Sequence, residues 1–202
     1  IVTISTDKAV RPTSILGLTK RISEIICLKH NNRNFSSKVV RFGNVFGSVG
    51  SAVPTFISQI NNRLPITITH KNVKRFFMTL NDACFLLLWS VKIKNANNVL
   101  VLNMGKPIKI LDIVNSLIKI KQKVDPNYSV VIKTIGLHEG EKLNEELTVV
   151  KNTKKTKNID ISLTKDPTYN DYEIEKLILD LDKSKNPNLS KRLMTKFLHK
   201  EF

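Results

Sequence analysis

The first sixty residues alternate between two hydrophobic periods, and no other feature of the sequence constrains the fold as strongly. Ile1 to Ser5 is an apolar, β-branched run ending in polar residues, the pattern of a short buried strand. Pro12, Thr13 and Ser14 supply helix-start chemistry, and Ile15, Leu18, Ile22, Ile25 and Ile26 then recur at helical spacing up to about His30. Ser37 to Phe42 predicts a second buried strand, followed by the glycine-punctuated loop GNVFGSVGS and a helix beginning near Pro54. This strand–helix–strand rhythm predicts an α/β protein with a parallel sheet, in which ligands bind beyond the carboxyl ends of the strands. Ser5-Thr6-Asp7-Lys8 and Gly43-Asn44-Val45 lie at those ends.

Further along, the units shorten. Pro65 to Thr69 alternates like a short strand, Asn81 to Val91 reads as a buried helix, Val99 to Asn103 as a strand, and Ile110 to Ile120 as an amphipathic helix. Val130 to Thr134 is a further strand candidate. After residue 150 the chain is Lys-rich, with turn signals around Pro167 and Pro187, and Tyr172 to Leu181 carries the only clear helical period. The expected organisation is a sheet with a catalytic segment over 1–60, a small α+β lobe over 61–150 interleaved with it, and a Lys-rich extension over 151–202.

The net charge is +16, which raises the question of a polyanionic partner. No long basic block concentrates it, so nucleic acid is not expected, and two or three of these groups suffice for a phosphorylated small molecule. The longest apolar run, Phe85 to Trp89, falls far short of the ~20 residues that cross a bilayer. The first residues lack a basic n-region and a cleavage site. Cys27 and Cys84 sit in apolar helical patterns and read as core residues, with no metal site expected. Together these features predict a cytoplasmic protein without a membrane segment.

Taken singly, the polar residues at the strand ends have plain structural readings. Thr6 and Asp7 can cap a turn, Lys8 and Lys20 can be solvated lysines, Asn44 can stabilise a turn, and Glu141 can be a surface carboxylate. Leu16 and Lys20 are one helical turn apart and share a face. Linked in order, however, STDKAVRPTSILGLTKRISE, VRFGNVFGSVGSAVPTF, KRFFMTLNDA, LNMGKPIKILDI and GLHEGEKLNEEL resemble the nucleotide-sugar branch of the extended short-chain dehydrogenase/reductases. The resemblance is strongest to UDP-N-acetylglucosamine 4,6-dehydratases of capsule and O-antigen biosynthesis, and it covers residues 1 to about 150.

The resemblance implies a Rossmann-like sheet and an internal hydride shuttle on NAD or NADP, with water lost across C5 and C6 of a UDP-sugar. It makes Asp7 the acid at the C6 hydroxyl, Lys8 the base at C5, and Thr6 a donor to the C4 oxygen. Lys20 matches the lysine of the family's Tyr-x-x-x-Lys motif, which binds the nicotinamide ribose. Leu16 occupies the tyrosine position, where the large membrane-anchored dehydratases carry Met; ordinary 4-epimerases keep the tyrosine. For the UDP-sugar, Asn44 and Arg75 match diphosphate contacts and Glu141 matches an acceptor for the uridine ribose. The family's Arg-Pro-Gly-Glu-Lys is here His138-Glu139-Gly140-Glu141-Lys142, without the arginine.

No G-x-G-x-x-G occurs in the sequence, although a dinucleotide site needs such a turn. The expectation is therefore a partial Rossmann-like sheet that lacks the cofactor half, with strands 1–5 and 37–42 left without neighbours. Three functions remain open. One is a UDP-N-acetylhexosamine 4,6-dehydratase whose N-terminal cofactor half is on a separate chain or lost from the reading frame; the others are a UDP-sugar 4-epimerase and an inactive remnant or accessory chain that binds UDP-sugar. The expected partners are a UDP-sugar with a separate N-terminal half or a homo-oligomer.

Overall fold

The computed structural model describes residues 1–29, 36–48, 50–93, 98–149, 153–165 and 169–198. His30, Val49 and Pro167, which figured in the sequence expectations, lie outside them. Two compact units emerge: Ile1–Phe42 with Leu86–Asn103 and Glu146–Phe202, and Gly43–Phe85 with Met104–Glu145.

The first unit contains β1 (Val2–Thr6), α1 (Ile15–Lys29), β2 (Lys38–Phe42), β7 (Val99–Leu102), β10 (Lys154–Lys155), β11 (Ile161–Thr164), α5 (Asp171–Lys183) and α6 (Pro187–Leu198), numbered along the whole chain. Its sheet runs β1-β2-β7-β11-β10. β1, β2 and β7 are parallel, with Thr6 opposite Phe42 and Val39 opposite Val99. β11 and β10 then add antiparallel. The parallel rhythm therefore holds for three strands, and the residues after 150 contribute two more to the same sheet. β2 lies inside the sheet between β1 and β7, with Val39 and Val40 fully buried, which corrects the expectation that the apolar faces of strand 37–42 lack neighbours. β1 is at the edge of the sheet, where Ile4 is 46% exposed.

Helix α1 is buried on two faces. Leu18, Ile22 and Ile25 pack against Ile174 and Leu177 of α5 and Met194 and Leu198 of α6. Asn170 starts α5 with a capping box closed by Glu173.

The second unit holds β3 (Asn44–Val45), α2 (Ala52–Asn61), β4 (Ile66–Ile68), β5 (Lys74–Arg75), β6 (Phe77–Met78), β8 (Ile108–Lys109), α4 (Ile110–Val124) and β9 (Ile132–Thr134); α3 (Leu80–Lys92) begins in this unit and ends in the first. Its strands form three two-stranded pairs: β3 with β6 and β4 with β9 in parallel, and β5 with β8 antiparallel. Phe56, Ile60, Ile66, Ile68, Val114 and Tyr128 are central to its core. Cys27 is half-buried beside Val39 and Val99, but Cys84 is exposed. The core expectation fails for Cys84 because α3 is apolar nearly all round and only the face of Ala83, Leu86 and Ser90 is buried.

Among the described residues, no helix is long and apolar enough to cross a membrane, and no group of His, Cys, Asp or Glu could hold a metal ion.

Candidate active site

Strand β1 ends at Thr6, and Asp7–Ala9 forms a single 3-10 turn. Thr6 caps it: the Lys8 backbone N–H donates to Thr6 Oγ1 at 3.4 Å, and the Thr6 hydroxyl donates to Asp7 Oδ1 at 2.9 Å. Lys8 Nζ donates to the same Oδ1 at 3.0 Å. The Asp7 side chain is completely buried, whereas that of Lys8 is 28% exposed. Asp7 Oδ2 is buried with no hydrogen-bond partner among the described residues. Leaving a buried carboxylate oxygen unpaired is costly, and no hydrogen bond among the described residues offsets that cost at this oxygen. Three adjacent residues thus present a carboxyl group, an amine and a hydroxyl at one strand end.

Helix α1 runs directly over this turn. A Cβ on Gly17 would come within 2.3 Å of the Lys8 carbonyl oxygen, so only glycine permits the approach. Lys20 Nζ donates to the Ile4 carbonyl at 3.3 Å, which ties the helix to β1. One turn earlier, Leu16 is 55% exposed and has no group that can carry a proton.

In the second unit, Arg75 and Glu141 meet. Arg75 Nη2 lies 2.8 Å from Glu141 Oε1, and the guanidinium is almost fully buried. Its Nη1 donates to the Lys74 and Leu143 carbonyls at 2.8 and 3.2 Å. Thr69 Oγ1 donates to Glu141 Oε1 at 3.0 Å, and the His138 backbone N–H donates to Oε2 at 3.2 Å. Asn44 opens β3, where its backbone N–H donates to Phe76 O at 3.0 Å and Phe77 stands opposite it. The adjoining loop turns at Gly47, with φ of 75°, and at Gly50, with φ of 74°, and Phe46 stacks on Phe77 with ring centroids 4.6 Å apart.

The residues expected to act together therefore gather in two groups, Thr6, Asp7, Lys8 and Lys20 in the first unit and Arg75 with Glu141 in the second. Gly17 and Thr69 were missed. Thr69 carries no local signal, since its partner lies far along the sequence. For Gly17, the usable clue was a glycine two residues past the start of an otherwise well-formed helix.

A dinucleotide cofactor finds little of its cradle in these residues. The β1-to-α1 connection, Asp7 to Ser14, contains no glycine, and a pyrophosphate needs a glycine-rich turn at a helix N-terminus. Lys20 alone points to such a group, and its amine already rests on the Ile4 carbonyl.

Parallel strands with a crossover helix, polar residues at the strand ends and a second small α+β unit define a Rossmann-type α/β protein. The chain belongs to the polysaccharide biosynthesis protein family, whose model matches residues 1–166. It is 44% identical over 148 residues to the capsular polysaccharide biosynthesis protein CapD of Staphylococcus aureus, covering 72% of this chain and 24% of that protein. It is 33% identical over 151 residues to a UDP-glucose 4-epimerase of Rickettsia bellii, covering 73% of this chain and 42% of the relative. Among solved structures, Pen from Bacillus thuringiensis superposes with a TM-score of 0.71 at 29% identity, covering 88% of this chain and 61% of that one. The chain thus spans less than two thirds of the length of each of these relatives.

Proposed function

We propose that this chain carries the elimination chemistry and the nucleotide-sugar contacts of a UDP-N-acetylhexosamine 4,6-dehydratase in surface-polysaccharide synthesis. The observation that carries this reading is the buried Asp7 carboxyl, one oxygen shared by Thr6 and Lys8 and the other without a partner among the described residues. On a 4-keto sugar, Lys8 takes the proton from C5, which the adjacent ketone has made acidic. The C5–H electrons form the C5=C6 bond, the C6–O bond breaks, and Asp7 delivers its proton to the departing hydroxyl as water. Lys8 then returns its proton to Asp7 across the 3.0 Å contact. Arg75 supplies a two-pronged donor for the diphosphate, with Asn44 beside it in this role and Glu141 accepting from the uridine ribose. Epimerisation at C4 requires a proton acceptor for the C4 hydroxyl, and position 16, one turn before Lys20, is Leu.

Supplying UDP-4-keto-N-acetylglucosamine in deuterated water tests the assignment without the C4 oxidation. The chain should exchange the C5 proton and release water. Lys8→Ala should lose both reactions, whereas Asp7→Asn should keep the exchange and lose the elimination. Water release that survives both substitutions together overturns the dehydratase reading in favour of epimerisation or simple binding.

A further inference from the structure

Successive turns of α1 bear on β1 through one stripe of residues. Gly17 abuts the Lys8 carbonyl, Lys20 Nζ holds the Ile4 carbonyl, Glu24 Oε1 accepts the Ser5 hydroxyl at 2.5 Å, and Cys27 Sγ lies 2.9 Å from Thr3 Oγ1. Spacings of three and four residues put these positions on one helix face. Glu24 differs from the others in being a fully buried charge. Arg41 of β2 grips both carboxylate oxygens, Nε at 3.0 Å and Nη2 at 2.6 Å, and Arg21 Nη1 adds a third contact at 3.0 Å. Arg41 is itself completely buried and reaches the Leu147 carbonyl with Nη1. A buried carboxylate held by two arginines cannot swing to another partner without leaving charges unpaired, so the arrangement is rigid. The neutral partner of the Glu24 carboxylate among the described residues is Ser5, the residue before Thr6 and Asp7.

We propose that Glu24 is a positioning residue for the Asp7–Lys8 pair: through the Ser5 hydroxyl it locks the carboxyl end of β1 to α1 and β2, and so fixes where the acid and the base meet the sugar. This role rests on the assignment of Asp7 and Lys8 made above. Buried ion clusters often stabilise little, because desolvation offsets the attraction, whereas small displacements of reacting groups are expensive. The cluster accordingly shows itself in rate more than in stability.

The test is C5 exchange on UDP-4-keto-N-acetylglucosamine in deuterated water, normalised to folded protein by circular dichroism. Ser5→Ala cuts only the link from the cluster to β1 and leaves all three charges in place. Its kcat should fall about tenfold or more with KM unchanged, and Ser5→Thr, which keeps the hydroxyl, should restore most of the rate. Glu24→Gln should fall further; if it does not fold, Ser5→Ala decides alone. A purely structural role would lower the folded fraction and leave kcat per folded chain unchanged, and that result in Ser5→Ala overturns the proposal. Exchange that is equally fast in Lys8→Ala, or absent from the unaltered chain, instead removes the underlying base assignment and the positioning role with it.

Discussion

Arg75 and Glu141, 66 positions apart in sequence, share a guanidinium–carboxylate contact of 2.8 Å, and the same carboxylate oxygen takes the hydroxyl of Thr69. The pair is held in place by the protein's own groups. The two carbonyls on Nη1 and the carboxylate on Nη2 leave the Nε–H and one Nη2–H of Arg75 without a partner among the described residues, and these are the donors that the proposed diphosphate contact would use.

UDP should therefore raise the thermal midpoint of the chain, by the equivalent of about 2.7 kcal/mol at a hundred times its dissociation constant. Arg75→Ala should abolish the shift, and Thr69→Val should weaken it by freeing the Glu141 carboxylate to move. A UDP response that is unchanged in Arg75→Ala would mean that the diphosphate is held elsewhere.

Calorimetric titration with NAD+ and NADP+ should show no tight binding, because the chain supplies Lys20 but no glycine-rich phosphate turn. A low-micromolar dissociation constant for either cofactor would contradict this.

Gly17→Ala sets two effects against each other. Alanine in a helix interior gains about 1 kcal/mol over glycine, but a Cβ 2.3 Å from a backbone oxygen forces the Lys8 turn to move, and overpacking of this kind costs about 1–3 kcal/mol. Since the obstacle is backbone rather than a flexible side chain, the variant should melt at a lower temperature than the parent. A higher midpoint would show that α1 is free to back away from β1.

Arg11 adopts a left-handed backbone with φ of 44°, at a cost of about 1–2 kcal/mol for a non-glycine residue. Its ion pair with Glu146, at 3.3 Å, is exposed on both sides and contributes at most about 1 kcal/mol. Arg11→Asn, which tolerates this conformation, should raise stability to chemical denaturation by about 1 kcal/mol; a loss would assign the greater weight to the ion pair.

Lys38, at the start of β2, donates to the Ser90 and Val91 carbonyls at the end of α3. Burial lowers its pKa from the ordinary 10.5. The unfolded chain therefore holds this proton more tightly than the folded one, and the group makes stability rise as pH climbs through the window between the lowered value and 10.5. Comparing denaturant midpoints of the parent and Lys38→Met across alkaline pH should isolate that slope. Parallel curves would show that Lys38 has the same affinity for its proton in both states.

The elements legible in the sequence were those long enough to carry a hydrophobic period of their own. β1, α1 and β2 each showed a single run or stripe, and their order predicted the parallel pairing. The candidate residues at the end of β1 followed from that order. Pieces of two residues, such as β5 and β10, are too short for any period to emerge. α6 escaped because its apolar positions, Met194 and Leu198, make sense only against Leu18 and Ile22 of α1. Nothing in the sequence around Glu24 sets it apart from other helix carboxylates; its meaning comes from Arg41, which another strand brings beside it. Thr69 illustrates the same limit in the second unit: a hydroxyl is marked as functional by the carboxylate it meets, and sequence spacing does not encode that meeting.

The chain leaves the first unit after Phe42, returns at Leu86, leaves again after Asn103 and returns at Glu146. This interleaving dictates a timetable for synthesis. When β2 emerges from a ribosome, the edge meant for β7 stays open until Val99 to Leu102 have been made. β7 in turn waits for Ile161 to Thr164, and the Leu18–Ile22 face of α1 waits longer still for Leu198. Contacts of such long sequence separation form slowly and leave strand edges open to wrong partners meanwhile. A premature stop anywhere before α6 would release a chain with the Leu18–Ile22 face of α1 uncovered, so in the cell the nascent protein should depend on chaperones that shield strand edges until α6 has been made.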